Sequence, residues 1–198
     1  MSLAPIILED EYVALVPIEN AHIDGLFEAG QDPSVWQWTT ASYCGTLDQA
    51  GDWVKSCLER VRLGAQQTFV IVDKVTDKIV GSSSYLNVAL EHKSIEIGFT
   101  FLSPLAQKTH INRRCKLLLL QHAFETLNLN RVAFQTHEKN QRSRQAISGI
   151  GASFEGIMRN NRIQHDGSMR SSAIYSILRI EWPQTRINLL NKLEKHAK

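Results

Sequence analysis

The chain has 198 residues, of which 43% are hydrophobic and 21% charged, a composition typical of a globular protein with enough apolar material for one core. Its 22 Lys and Arg residues against 20 Asp and Glu give a net charge of +2, so overall charge argues against a nucleic-acid partner. We expect a cytoplasmic protein with reduced cysteines, no metal site and no membrane partner, because the three cysteines lack metal-like spacing, the N-terminus is unlike a signal peptide, and no run of about 18 apolar residues occurs.

The first part of the chain predicts one strand and two helices. Residues 8–17 alternate between apolar and polar side chains and predict the strand. A first helix follows, ends near Asp32 and Pro33, and leads into an aromatic loop over residues 36–43. The sequence TLDQ at residues 46–49 is a capping-box pattern, which predicts the start of the second helix.

Strands and helices alternate in the rest of the chain. The pattern predicts a hairpin (68–72 with 78–85), a further strand (95–102), a helix (112–127) and another strand (131–136). A helix (140–150), a second hairpin (153–160 with 173–180) and a tail helix (186–197) follow. This order predicts a mixed α/β (α+β) fold with one central sheet. No linker is visible, so we expect a single domain over residues 1–183, followed by an amphipathic helical tail over residues 184–198.

The strand at residues 95–102 carries the first candidate site residues. Its strict alternation predicts one face made of Ile95, Ile97, Phe99 and Phe101, with Glu96, Gly98 and Thr100 on the other. A carboxylate on a central strand, next to a cleft, is suited to act as a general base, although an exposed or paired glutamate is the plainer alternative. A glycine inside a strand marks either close approach of another group or simple packing.

Three cations surround the start of the leucine-rich helix, namely Lys108, Arg113 and Arg114. A helix N-terminus is already positive, and each cation there costs roughly 0.3–1 kcal/mol. The pattern therefore predicts a bound anion such as a phosphate group, with plain solvent exposure as the alternative. At the next helix start, Asn140 and Ser143 share one face, where Asn140 either caps the helix or faces a ligand.

Several stretches together resemble the GNAT acetyltransferases, and more narrowly the RimJ/RimL type, the ribosomal-protein N-terminal acetyltransferase branch. They are IEIGFTFLSP, AQKTHIN, KLLLLQHAFETLNLNRVAFQT, NQRSRQAISGIGASFEGIMRN and HDGSMRSSAIYSILRIEWP. The likeness covers roughly residues 8–183. It implies a central, twisted, mostly antiparallel sheet flanked by helices, with two neighbouring parallel strands that splay apart at residues 95–102 and 131–136.

The resemblance implies that acetyl-CoA, as co-substrate, enters this gap. Its pantetheine arm would pair with backbone near Phe101 and Leu102, and its pyrophosphate would lie on the loop at residues 107–112. The implied cofactor-binding residues are Phe101, Leu102, Gln107, Lys108, Thr109, His110, Ile111, Asn112, Arg113, Arg114, Asn140 and Ser143. Two positions depart from the family pattern. His110 and Asn112 replace the small residues of the loop, and Ile147 replaces the tyrosine that serves many relatives as general acid.

We expect an N-acetyltransferase that moves an acetyl group directly to a primary amine, without a covalent enzyme intermediate. Glu96 is the expected base, acting through water, and Ser143 or water the expected acid. A backbone N–H near Phe101 or Leu102 would polarise the thioester carbonyl. The acceptor would enter beside the aromatic loop, with Trp36, Trp38 and Tyr43 as its binding residues.

Two other functions stay open for this sequence. One is a non-catalytic acyl-CoA-binding sensor, and the other an interaction protein that uses the tail helix and the aromatic loop around an empty cleft. The acceptor itself is also open, between a protein N-terminus and a small-molecule amine. A homo-oligomer is possible, because the apolar tail helix could pack on a partner subunit or on its own core.

Overall fold

One eight-stranded sheet forms the centre of the protein, of which the structure, a computed structural model, describes residues 3–164 and 166–194. The strands are β1 (Leu8–Glu9), β2 (Val13–Pro17), β3 (Gln67–Asp73), β4 (Lys78–Ala89), β5 (Ser94–Leu102), β6 (Arg131–His137), β7 (Ser153–Ile163) and β8 (Met169–Leu178). The helices are α1 (Ile23–Gly30), α2 (Leu47–Arg62), α3 (Ile111–Gln121), α4 (Gln141–Gly149) and α5 (Trp182–Glu194). The sheet order is β1-β2-β3-β4-β5-β6-β8-β7, and only β5 and β6 are parallel. The predicted mixed α/β class is confirmed.

Two hydrophobic cores lie on the two faces of the sheet. Along β3, Phe69 and Ile71 belong to one core, and Val70 between them belongs to the other, as the alternation of a strand requires. The first core also contains Leu119 of α3, and we call this side the α3 face. The second contains Val54 of α2, and we call it the α2 face.

The predicted strand at residues 8–17 is two strands instead of one. Residue Asp10 interrupts it, because its Oδ1 accepts hydrogen bonds from the backbone N–H groups of Tyr12 at 2.8 Å and Val13 at 2.9 Å. An aspartate that bonds its own following backbone forms a turn. The chain therefore folds back, and Leu8 of β1 pairs with Leu15 of β2 in antiparallel register.

The predicted alternation along residues 95–102 is wrong beyond Gly98. A bulge shifts the register between β4 and β5, so that Ser84 pairs with Gly98 but Ser82 pairs with Phe101. Phe99 has a φ of 44° and its side chain is 40% exposed. Phe101 lies in the α2-face core, whereas Ile95 and Ile97 lie in the α3-face core. The extra residue of a bulge reverses the side-chain sequence, which residue types alone do not reveal.

The parallel pair opens along its length, as predicted. Strands β5 and β6 pair only at Ser94–Arg131, Ile95–Val132 and Glu96–Ala133. Beyond that point β5 continues to Leu102 and β6 to His137 without pairing to each other. A wedge-shaped gap therefore separates the carboxyl ends of the two strands, and the loop before α3 and the start of α4 follow directly from those ends.

The predicted helix starts are confirmed at α2 and α4. Thr46 caps α2 by accepting a hydrogen bond from the Gln49 backbone N–H at 3.2 Å, and Asn140 caps α4. The leucine-rich helix α3 continues into a π-helical turn at His122–Thr126.

The tail helix α5 begins at Trp182, earlier than predicted, and buries Leu189 and Leu193 in the α3-face core. Residues 195–197 of the predicted tail helix, and His165 of the predicted hairpin turn, lie outside the described residues. None of the helices in the described ranges is both long and apolar enough to cross a membrane.

Candidate active site

Glu96 lies at the vertex of the gap, because its pair with Ala133 is the last between β5 and β6. Its neighbours Ile95 and Ile97 point to the α3 face, so its carboxylate points to the α2 face. The Asn87 amide donates a hydrogen bond to Glu96 Oε2 at 2.7 Å. Burial raises the pKa of the Glu96 carboxyl, and the Asn87 bond and the charge of Arg162 offset only part of this rise. A raised pKa brings a carboxylate closer to the range useful for a general base.

Gly98 allows the Glu96 carboxylate to lie where it does. A Cβ atom at Gly98 would lie 2.7 Å from Leu86 Cδ1 and 3.1 Å from Glu96 Oε1. Both neighbours are side-chain atoms, and both would have to move to accept even a methyl group. Close approach therefore explains this glycine, one of the two readings that the sequence left open.

The loop between β5 and α3 presents exposed polar groups at the mouth of the gap. Lys108 adopts a left-handed backbone with φ of 63° and is exposed. Thr109 Oγ1 donates to the Ala106 carbonyl at 2.7 Å and accepts from the Ile111 N–H at 3.2 Å, which closes the start of α3. The Ile111 side chain is buried in the core, and Asn112 is half-buried beside it.

Gln107 ties this loop to its two neighbours. Its Nε2 donates to the Leu102 carbonyl at 2.9 Å, and its Oε1 accepts from Arg142 of α4 at 2.5 Å. The Leu102 carbonyl, an expected partner of the cofactor arm, thus already has a hydrogen bond within the chain. The Phe101 side chain lies in the α2-face core, and its residue pairs with Ser82 of β4.

The three cations near α3 have different surroundings. Arg114 forms an ion pair with Asp10 at 2.7 Å, and its Cζ lies 3.9 Å above the centre of the Tyr12 ring. Burial would raise the pKa of Asp10, but the bonds from Arg114 and from two backbone N–H groups hold it below its usual value. Among residues 3–164 and 166–194, Arg113 donates a hydrogen bond only to the Lys192 carbonyl, at 3.4 Å. The electrostatic case for an anion therefore depends on Lys108 and Arg113, while Arg114 already has a carboxylate partner.

Helix α4 places a cap and a hydroxyl beside the end of β6. Asn140 Oδ1 accepts from the Ser143 backbone N–H at 3.0 Å, so Asn140 is an N-cap. Its amide nitrogen donates no hydrogen bond to any residue in the described ranges, which leaves it available to a ligand. Ile147 is buried in the α3-face core, so apolar packing replaces the tyrosine hydroxyl that the family resemblance leads one to expect there.

The rings of the aromatic loop take different positions. Trp36 is a core residue, only 7% exposed, and its Nε1 donates to the Gly30 carbonyl at 2.6 Å. The structure thus places Trp36 behind the site surface, against the expectation that it contacts the acceptor. Trp38 packs edge-on against His137, with ring centres 5.0 Å apart. Tyr43 is half-buried and lies at the surface of the α2 face.

A pocket of about 300 Å³ opens on the α2 face between α2 and the sheet. Its lining includes Tyr43, Trp53, Phe99 and Ser84. Ser84 pairs with Gly98, over which the Glu96 carboxylate lies, so the pocket adjoins the vertex of the gap. A depression of about 610 Å³ occurs at the opposite end of β6, around Arg131, where the strands are paired and no gap opens.

Sequence reasoning missed Lys116, a buried lysine on α3. Its Nζ donates to Thr100 Oγ1 at 2.6 Å and to Ser83 Oγ at 3.1 Å, and the two hydroxyls lie 2.7 Å apart. Burial lowers the pKa of Lys116 to about 8, and no carboxylate among the described residues pairs with it. The only signal in the sequence was a single charge beside four leucines.

His110 and His137 make aromatic and backbone contacts near the site. His110 lies edge-on to Tyr12 at 5.4 Å between ring centres, and His137 Nδ1 accepts from the Lys139 N–H at 3.0 Å. Burial lowers the pKa of His137. Within residues 3–164 and 166–194, no cluster of three His, Cys, Asp or Glu side chains has an arrangement that holds a metal ion.

Known proteins share this architecture. The family model described as "Acetyltransferase (GNAT) domain" matches residues 13–153. An uncharacterised N-acetyltransferase p20 of Bacillus licheniformis is 23% identical over 184 residues, which are 88% of this chain and 97% of that protein.

Two solved structures show the same fold. A GCN5-related N-acetyltransferase from Brucella melitensis superposes with a TM-score of 0.90 at 25% identity, covering 98% of this chain and 87% of its own. The RimJ protein of Mycobacterium smegmatis, solved in complex with CoA-disulfide, has a TM-score of 0.82 at 19% identity over 95% of each chain, and shares the fold.

These matches agree with the site built above from its residues. The family model spans the aromatic loop, the splayed strand pair, the loop before α3 and the start of α4. This chain is therefore an acetyltransferase that belongs to the GNAT family.

Proposed function

We propose that the protein transfers an acetyl group from acetyl-CoA to a primary amine, as a member of the RimJ/RimL branch. The observation that carries this proposal is the opening of the β5–β6 pair directly after Glu96, with its carboxylate at the vertex. A thioester in such a gap lies between an acceptor on the α2 face and helix starts on the other side.

The residues around the gap fit an acyl-CoA. Its phosphates need positive charge, which Lys108 and Arg113 supply at the start of α3. The amide nitrogen of Asn140 is a donor without a partner in the described chain, suited to a carbonyl of the pantetheine arm. Beyond Glu96, the backbone of β5 has no partner on β6, so its polar groups on that side are open to an extended ligand.

Acetyl-CoA, when bound, supplies the thioester whose acyl group is transferred. Glu96 takes a proton from the acceptor ammonium, directly or through one water, and its raised pKa favours that transfer near neutral pH. A backbone N–H at the end of β5 polarises the thioester carbonyl. The free amine attacks the thioester carbonyl carbon, a C–N bond forms and the C–S bond breaks. Ser143 or water gives a proton to the leaving thiolate, because Ile147 offers no hydroxyl, and the second amine proton replaces the one given up.

The enzyme function is favoured over a sensor or an interaction protein by the family match and by the intact Glu96 site. Steady-state thiol release from acetyl-CoA, measured with a panel of amines that includes a short peptide with a free N-terminus, tests this. We expect release with at least one amine. Acetyl-CoA binding by calorimetry without release on any amine would support the sensor instead.

Three further assignments remain proposals. A cytoplasmic location is supported by three buried, unpaired cysteines, Cys44, Cys57 and Cys115. We propose one catalytic domain over residues 1–183 and a helical tail over residues 184–198. We also propose that the protein has no nucleic-acid partner, which its net charge of +2 supports.

A further inference from the structure

The bulge in β5 turns an aromatic side chain out of the sheet. Phe99 has a φ of 44°, a backbone conformation that residues other than glycine rarely adopt. Its side chain is 40% exposed. Both residues that flank the bulged segment, Ile97 and Phe101, are buried. Bulges near active sites re-aim side chains, and local strain persists where the surrounding structure fixes it.

The α3 face fixes this bulge. Thr100, the residue after Phe99, is held by Lys116 Nζ at 2.6 Å and by Ser83 Oγ at 2.7 Å. These groups anchor Thr100 on the side opposite to the pocket. The direction of Phe99 is therefore set by the bonds that the exposed Thr100 makes to the buried Lys116 and Ser83.

Phe99 completes a wall of three rings. The rings of Phe99 and Tyr43 meet edge to face at 89°, with centres 6.4 Å apart. The Tyr43 and Trp53 rings lie 6.0 Å apart, tilted by 35°. All three line the 300 Å³ pocket, whose wall also includes Ser84, the partner of Gly98 beside the Glu96 carboxylate. An aromatic ligand that met one of these rings edge to face or in an offset stack would gain a favourable contact.

We infer that the amine acceptor is a small molecule that carries a flat ring close to its primary amine. This inference depends on the proposed acetyl transfer. The ring would lie against Phe99, Tyr43 and Trp53 while the amine reaches Glu96. About 300 Å³ is at the small end of ligand pockets, the size of an arylalkylamine. The pocket lining includes one negative residue, Asp52, and one positive residue, Arg60, so its charges cancel. We therefore expect the aromatic rings, and not the net charge, to determine which amines bind.

Kinetics with two matched amines test the inference. Phenethylamine and ethylamine present the same amine with and without the ring. We expect kcat/KM to be roughly 10- to 100-fold higher for phenethylamine, the range expected for burial of one aromatic side chain. Phe99→Asn, which tolerates the left-handed backbone, should lower this ratio about 10-fold while the KM for acetyl-CoA stays unchanged.

Phe154→Asn is the matched control. Phe154 is a half-exposed phenylalanine on the edge strand β7, away from the pocket, and its loss should leave the ratio unchanged. Equal use of both amines by the parent, or an unchanged ratio in Phe99→Asn, would overturn the inference and leave acetyl transfer standing. A peptide N-terminus preferred over phenethylamine by more than about 10-fold would overturn it in favour of a protein acceptor.

Failure of the proposed function gives a different result. If no amine causes thiol release, calorimetry with phenethylamine still measures the pocket directly. Binding that Phe99→Asn weakens and Phe154→Asn preserves would support a ring-binding site in a protein without turnover. No binding to the parent would overturn the inference.

Discussion

The two ends of β5 have opposite roles. At its first end, Ser94 and Glu96 pair with strands on both sides, and Ile95, which pairs with β6, is 1% exposed in the α3-face core. At its second end, β6 has diverged, a bulge interrupts the register with β4, and Phe99 is 40% exposed. The paired end satisfies its backbone groups within the sheet, whereas the splayed end leaves groups on one side for a ligand. Glu96 lies at the boundary, where a rigid strand can hold a carboxylate next to an open gap.

The largest effect should come from Glu96→Gln, which removes the proposed base and keeps the shape of the boundary. We expect kcat to fall by about 100-fold or more, the lower range for loss of a general base. Since burial raises the pKa of Glu96 and the base acts when deprotonated, kcat/KM of the parent should rise with pH through that raised pKa. The rise should be absent from the variant. An unchanged kcat at neutral pH would exclude Glu96 as the base.

Lys116→Met tests whether the buried lysine that anchors the splayed end of β5 lowers the free energy of unfolding. Burial lowers the pKa of Lys116 to about 8 in the folded protein, so the unfolded chain retains the proton between about pH 8 and 10 and stability of the parent rises across that window. Below pH 8, burial of the charged Lys116 ammonium lowers the free energy of unfolding by up to about 3 kcal/mol. Met removes it, and Ser83 and Thr100 can still bond each other at 2.7 Å.

We therefore expect Lys116→Met to unfold at higher urea concentration than the parent at pH 7, with the difference shrinking towards pH 10. The same variant should lose selectivity for ring-bearing amines, because the bulge is less firmly held. Comparing the two proteins at each pH cancels the titration of other groups, such as Tyr85, whose pKa burial also raises. A variant less stable than the parent at pH 7 would show that the lysine hydrogen bonds outweigh the burial of its charge.

Part of this arrangement could be predicted from the sequence because it is local. The capping residues Thr46 and Asn140 act within three residues of their own position, and apolar periodicity marks strands and helices wherever they pack. The splayed strand pair was predicted because the family resemblance supplied the sheet topology, and the structure confirms it. The bulge was not predictable, since it depends on how β4 and β5 align, and the alternating residue types up to Phe101 suit a regular strand equally well.

The same reason explains why the surroundings of several charged and aromatic residues could not be predicted. The partner of Arg114 is Asp10, 104 positions away, and nothing near Arg114 in the sequence announces that pair. Trp36 belongs to an aromatic loop, yet the fold directs it inward, to the Gly30 carbonyl. Lys116 is buried because α3 packs over Ser83 and Thr100, a contact between three separate elements. Long-range contacts decided each case.

Two adjacent arginines beyond the splayed end should separate binding from stability. Arg113→Ala should raise the acetyl-CoA dissociation constant roughly 3- to 10-fold with little change in unfolding, because its only hydrogen bond in the described chain is a 3.4 Å contact with the Lys192 carbonyl. Arg114→Ala should instead lower stability by about 1–2 kcal/mol, because it leaves the half-buried Asp10 carboxylate without its cation.

Calorimetry with acetyl-CoA and urea unfolding on both variants measure the two effects. The opposite result would be that Arg114→Ala weakens acetyl-CoA binding more than Arg113→Ala while the two variants unfold at the same urea concentration. That result would show that the ion pair with Asp10 is not the main role of Arg114. Phosphate binding would then use the arginine that the fold already neutralises.

The smallest effect should be that of Ser143→Ala, which tests the acid on the far side of the gap. The substitution leaves the α4 cap intact, because Asn140 accepts from the Ser143 backbone N–H and not from its hydroxyl. A thiolate is a weak base with a pKa near 8.5, so water can replace a missing donor at modest loss. We expect kcat to fall by less than about 10-fold, with the acetyl-CoA dissociation constant unchanged. A kcat equal to that of the parent would assign the proton to water alone. A fall as large as that of Glu96→Gln would make Ser143 as essential as the base, and the chemistry would then depend equally on β5 and on the start of α4.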